Sequence, residues 1–97
     1  MKARVVSAQC KPGKVADAIE VYRNLIEPAA RQQTGLKGAL FLTDPSTGKA
    51  TSISIWETEA DMLAGESSSY LQEQIAKLGP FLASTPVSEH YDVSYQY

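Results

Sequence analysis

Residues Ser52 to Gly65 read SISIWETEADMLAG, and two periodicities meet inside them. Ser52 to Trp56 alternate polar and apolar, the pattern of a strand with one face covered. Thr58, with Glu59 and Asp61 just behind it, has the chemistry of a helix start: a hydroxyl to cap the first free N–H groups and acids where the helix dipole favours them. A strand therefore hands over to a helix, and the only tryptophan of the chain, Trp56, stands at the junction. A side chain of that size there is either a plug for the core or one wall of a small-molecule pocket.

Upstream, Leu36 to Thr43 alternates in the same way, and Asp44 to Lys49 (DPSTGK) between the two runs is turn chemistry. The pair reads as an antiparallel hairpin. Leu36, Gly38, Leu40 and Leu42 are expected on one face of the first strand, and Ile53 and Ile55 on one face of the second; Phe41 and Trp56 fall on the opposite parities. Gly48-Lys49 is no phosphate loop, because Thr43 stands where the leading glycine belongs and Ala50 where a Ser or Thr is required. Further upstream, Arg4 to Cys10 (RVVSAQC) is a first strand, stopped by Lys11-Pro12-Gly13. From Val15, apolar residues recur at Ala18, Ile19, Tyr22, Leu25, Ile26, Ala29 and Ala30, the spacing of one helical face. Pro28 lies inside that helix and predicts a kink or break near Asn24 to Glu27. Thr34-Gly35 supplies its stop.

Downstream, Leu63, Tyr70, Leu71, Ile75 and Leu78 keep a helical register, and Gly65 with Ser67-Ser68-Ser69 divides it into two short helices or weakens one long one. Gly79-Pro80 ends it. Ser88 to Tyr97 alternates strictly and predicts a final strand, with Tyr91, Val93, Tyr95 and Tyr97 opposite His90, Asp92, Ser94 and Gln96. The order β-α-β-β-α-β predicts an α+β, ferredoxin-like fold, a four-stranded antiparallel sheet with its helices on one face. Residues 1–97 read as a single domain. Helices cover only one face of such a sheet, yet both parities carry bulk, so the open face calls for a partner. The last strand's tyrosines or the Phe41 parity are the expected contacts.

Of the 97 residues, 43% are hydrophobic and 21% charged, and the net charge is −2. That balance speaks against nucleic-acid binding, which needs a strong positive field. Eight of the nine basic residues fall in the first half and seven of the eleven acids in the second, a split that reads as two solvated faces. No apolar run is long enough for a membrane span, no secretory pattern follows Met1, and the single Cys10 fits a reducing compartment, so a cytoplasmic protein is expected. Cys10 itself reads as a small buried hydrophobe. One His, one Cys and scattered acids offer no metal-ligand spacing.

The segments LIEPAARQQTGLKGALFLTDPSTG, SISIWET and LGPFLASTPVSEHYDV resemble the antibiotic biosynthesis monooxygenase (ABM) domain across nearly the whole chain. The resemblance implies a dimeric α+β barrel: a homodimer with its sheets packed face to face and a pocket in each subunit between sheet and helices. It implies a cofactor-independent monooxygenase acting on a small aromatic, phenolic or quinol substrate, or else a non-catalytic dimeric binding or assembly module. It also makes Trp56 a pocket residue. In the family, cofactor-free oxygenation is associated with an Asn four residues before the Trp, where this chain has Ser52. The haem-degrading branch uses an Asn on strand one and a His on the second helix; this chain has neither, and Glu66 and Ser69 occupy that helix region. A phenol oxygenase of this type needs an apolar slot, a base and hydrogen-bond donors. His90, the only histidine, is the candidate base, since its reference pKa of about 6.5 lies near working pH. Tyr22, Tyr70 and Tyr91 are candidate donors to a phenol oxygen and, with Trp56, make up the expected substrate-binding set.

Overall fold

The hairpin expected from residues 36–56 anchors the structure, a computed structural model that describes residues 1–97. Strands β1 (Lys2–Gln9), β2 (Leu36–Asp44), β3 (Lys49–Trp56) and β4 (Val87–Asp92) form one antiparallel sheet in the order β2-β3-β1-β4. Helices α1 (Val15–Val21) and α2 (Glu27–Ala30) connect β1 to β2 through a π-helical segment, Tyr22–Ile26. Helices α3 (Glu59–Ser67) and α4 (Tyr70–Leu78), with a short turn at Gly79–Phe81, connect β3 to β4. The α+β, ferredoxin-like fold expected from the order of elements is the fold observed.

The break near Pro28 takes the form of that π segment. The Glu27 N–H reaches back five residues to the Tyr22 carbonyl, which widens the turn just where a proline ring would press on the carbonyl four residues before it. Lys77 Nζ, from α4, donates to the Leu25 carbonyl at 3.2 Å and ties the widened turn to the second helix pair. At the other handover, Thr58 Oγ1 accepts from the Asp61 N–H at 3.1 Å, the cap read from the sequence. The second helical region is two helices, as its serine run allowed. Ser69 sits between them with φ +65°, a left-handed conformation that helix geometry excludes.

Register assigns the faces. On β1, Arg4, Val6 and Ala8 face the helices together with Ala50, Ser52, Ser54 and Trp56 of β3 and with Ser88 and His90 of β4. The other face carries Ala3 and Val5, Ile53 and Ile55, Leu40 and Leu42, and Val87 and Tyr91. No helix covers it: Leu40, Leu42, Val87 and Tyr91 are each about half or more exposed.

Two expectations about the strands are corrected. A bulge at Lys37 pairs Leu36 with Trp56 and Gly38 with Ile55, so the parity of β2 flips within the strand. Leu36 turns to the helices, Leu40 and Leu42 turn away, and Phe41 stacks on Tyr22 of the π segment with ring centroids 4.3 Å apart. The Phe41 parity is therefore not part of the open face. The last strand ends at Asp92 rather than Tyr97, because its ladder partner β1 begins at Lys2. Val93 makes one more hydrogen bond, to the Met1 carbonyl; beyond it Tyr95 and Tyr97 pack edge to face on each other and are exposed.

Candidate functional site

Ala18, Cys10 and Ala50 form a tight packing centre at one end of the layer between sheet and helices, closed by Val15, Phe41, Leu78, Phe81 and Leu82. The other end is not filled. A cavity of about 70 Å³ opens there, bounded by β1, β3 and β2 below and by the π segment and α4 above. In the same measure a single water needs roughly 10–15 Å³, so the space suits an aromatic ring rather than a bare ion. Its walls are mostly apolar, among them Ile26, Leu36, Leu71, Ile75, Trp56 and Tyr70, with Arg4, Ser52, Ser54, Tyr22 and Gln74 as the polar groups.

The two sequence readings of Trp56 merge. It is 1% exposed, the largest fully buried side chain, and it lines the cavity as well. Its Nε1–H donates to Ser54 Oγ at 2.9 Å. Arg4 stacks its guanidinium over the indole, 5.1 Å from the ring centroid, within the range of a cation–π contact.

Arg4 is 3% exposed. A guanidinium so deep needs partners to offset its lost hydration, and Nη1 donates to the Met62 carbonyl at 3.1 Å and to Glu66 Oε2 at 3.2 Å. Gly65, one residue earlier on α3, is buried; a Cβ there would sit 3.3 Å from the Tyr70 ring and 4.0 Å from the Arg4 guanidinium. The weak helix former noted in the sequence is thus the residue that lets both side chains approach α3.

Of the expected site residues, Trp56, Tyr22 and Tyr70 line the cavity. Tyr22 Oη and Ser52 Oγ lie 3.1 Å apart, so the serine at the position of the family asparagine is engaged by the π segment. Burial pushes the Tyr70 phenol above its ordinary pKa, keeping it a hydroxyl and hence a donor. His90 and Tyr91 do not line it. Strand β4 lies outside β1, beyond the cavity floor, so His90 faces the helices but stands behind Arg4, with Nε2 2.8 Å from Glu66 Oε2. Alternation turns Tyr91 to the opposite, open face.

The sequence reading missed Arg4, Ser54 and Gln74. The one signal for Arg4 was parity: it shares a face with Val6 and Ala8, an odd place for a cation unless that face holds a partner. No three His, Cys, Asp or Glu side chains converge to hold a metal ion, and no helix is long and apolar enough to cross a membrane.

Comparison of this architecture with solved structures settles the fold. It is the fold of the antibiotic biosynthesis monooxygenases. A provisionally named member from Nitrosomonas europaea superposes with a TM-score of 0.78 over 98% of this chain and 100% of its own, at 19% identity. The ActVA-Orf6 monooxygenase of Streptomyces coelicolor, in complex with Nanaomycin D, gives 0.70 over 93% and 84%, also at 19% identity. A mutant of SnoaB, a cofactor-independent oxygenase from Streptomyces nogalater, gives 0.76 over 98% and 95% at 11% identity. No sequence-family model and no curated protein matches the chain. At these identities the likeness speaks for the fold, and the chemistry rests on this chain's own residues.

Proposed function

We propose that this protein is a cofactor-independent monooxygenase of a small aromatic or phenolic substrate, working in the cytoplasm as a symmetric homodimer. The observation that carries the reading is the cavity itself: an apolar slot with the indole of Trp56 and the ring of Tyr70 as walls and a few inward hydroxyls, the form of a site for a flat ring. In the reaction proposed, a ring CH2 or its enol form becomes C=O. One atom of O2 enters the substrate, the other leaves as water with the two hydrogens, and the substrate supplies all four electrons. The neighbours' names, a monooxygenase with a bound ligand and a cofactor-independent oxygenase, agree with this reading.

Oxygen-electrode measurements with a panel of one- and two-ring phenols and hydroquinones test it. Enzyme-dependent oxygen uptake above the uncatalysed rate is expected for at least one compound that also quenches Trp56 fluorescence. Quenching without uptake across the panel supports the second reading, a binding module. One observation favours that reading: no histidine or carboxylate lines the cavity to act as a base. The open face supports the dimer: there Leu40, Leu42, Ile53, Ile55, Val87 and Tyr91 form an uncovered apolar surface. Sedimentation should give twice the chain mass; a monomer at micromolar concentration refutes the assembly.

A further inference from the structure

We infer that the cavity takes an aromatic ligand bearing an anionic oxygen, a carboxylate or a phenolate, with that oxygen on the guanidinium of Arg4. The inference deepens the proposed function and rests on its reading of the cavity as a ligand site. Three observations lead to it.

Arg4 is the only ionised side chain lining the cavity. Its counter-charge, Glu66, approaches from the far side and is 27% exposed at its side chain, against 3% for Arg4. Water therefore screens the carboxylate more than the guanidinium, and the residual field in the cavity is positive.

Only Nη1 of Arg4 is engaged by the protein. No buried side-chain nitrogen or oxygen in the molecule lacks a partner, so Nε and Nη2, which have none, are not sealed in the packing. On this inference they are the donors that meet a ligand in the space Arg4 lines. A guanidinium is built to hold two oxygens side by side, which a neutral ring does not supply.

The other polar groups of the cavity add donors rather than acceptors. Ser54, the cross-strand neighbour of Arg4, already accepts from Trp56 Nε1 and keeps its own proton to give. Tyr22 and Ser52 share one hydrogen bond, which leaves the second of their two protons free. Gln74 spends its amide N–H on the Tyr70 carbonyl and its oxygen on Lys77. A cavity with donors in excess binds best a ligand that brings acceptors.

The test is calorimetric titration with a matched pair, naphthoate and naphthamide, which share ring and shape and differ in charge; an ionised nitrophenol forms the third arm. The wild-type protein should bind naphthoate roughly tenfold or more tightly than naphthamide, the margin of a charge-assisted contact. Arg4→Gln should remove that margin by weakening naphthoate alone. Because a buried arginine is also structural, Glu66→Gln is the second variant: it removes the competing anion and should strengthen naphthoate binding several-fold while leaving naphthamide unchanged, which loss of structure does not do. Nitrophenolate binding as tight as naphthoate assigns the anion to a ring oxygen; naphthoate alone assigns it to a carboxylate arm. Equal affinity of wild-type protein for naphthoate and naphthamide overturns the inference and leaves the pocket reading standing. Binding of none of the three overturns both.

Discussion

Replacing Trp56 by alanine should cost this protein a large share of its stability, and the size of the loss can be worked from its contacts. The indole is 1% exposed, covers the end of the layer between sheet and α3, carries the Arg4 guanidinium on its face and donates to Ser54. Trp56→Ala removes the largest buried side chain next to an existing cavity, so collapse cannot fill the void; such changes cost about 3–5 kcal/mol. With total stabilities of about 5–15 kcal/mol and a melting shift of about 4–8 °C per kcal/mol at this size, the variant should melt at least about 12 °C lower. Trp56→Phe keeps most of the ring but loses the hydrogen bond, about 0.5–1.5 kcal/mol, and part of the cation–π contact, of the order of 0.5–1 kcal/mol. Its shift should be about 4–20 °C. The hydrogen bond can be isolated by a double-mutant cycle with Ser54→Ala, read by thermal unfolding in circular dichroism at fixed protein concentration. The two changes should couple by about 0.5–1.5 kcal/mol, since each removes the same bond. Additivity within about 0.3 kcal/mol, or an alanine variant melting within about 4 °C of the parent, refutes the account of Trp56 as a buried hub.

Gly35 has φ +83°, and a Cβ there would run into the Asp61 carboxylate; Gly35→Ala should destabilise by about 1–2 kcal/mol from the backbone alone, measurable by urea unfolding. Burial raises the Cys10 thiol pKa, and the side chain is 2% exposed, so iodoacetamide should leave it untouched in the native protein at mildly alkaline pH and alkylate it once the chain is unfolded in urea. The hydrogen bond from Lys2, 2.9 Å long, holds the Asp92 carboxyl below its ordinary value; the stabilisation it gives is present above about pH 4 and is lost as pH falls through the lowered value. Carbon-detected titration should find the Asp92 midpoint below about 3.9 in the parent and near it in Lys2→Ala.

The open order of elements was legible because each is signalled locally. Lys11-Pro12-Gly13, Asp44 to Lys49, Thr58 with Asp61, and Gly79-Pro80 mark the ends, and periodicity within each run gives its type. Even the fault in the first helix was readable, since Pro28 forces some accommodation; that it is a π segment was not, because the choice between kink, break and widened turn depends on Lys77 and Phe41, which arrive from elsewhere in the chain. The site was half legible. Trp56, Tyr22 and Tyr70 are aromatic and stand out by type. Arg4 and Ser54 are ordinary surface residues by type, and only their position under the helices makes them otherwise.

What hid them was the assignment of faces. Read as uninterrupted alternation, β2 places Leu36 with Leu40 and Leu42, and the apolar majority of the hairpin, with Ile53 and Ile55, looks like the side that helices should cover. The bulge at Lys37 breaks that inference. Leu36 alone follows Trp56 to the helix side, and there it meets Ser52, Ser54, Ala39 and Arg4, a floor too small and too polar to fill the layer. The more apolar face of the sheet is the one left uncovered, and the less apolar one holds the cavity. The same alternation therefore has two consequences. It leaves Leu40, Leu42, Ile53, Ile55 and Tyr91 on the uncovered face, and it leaves unfilled space beneath the helices, bordered by a buried cation and free hydroxyls. A chain that needed only a core would place Ile53 and Ile55 inward and the serines outward. That this one does the reverse is the strongest argument in the molecule that the space between Trp56 and Tyr70 is kept open for a ligand.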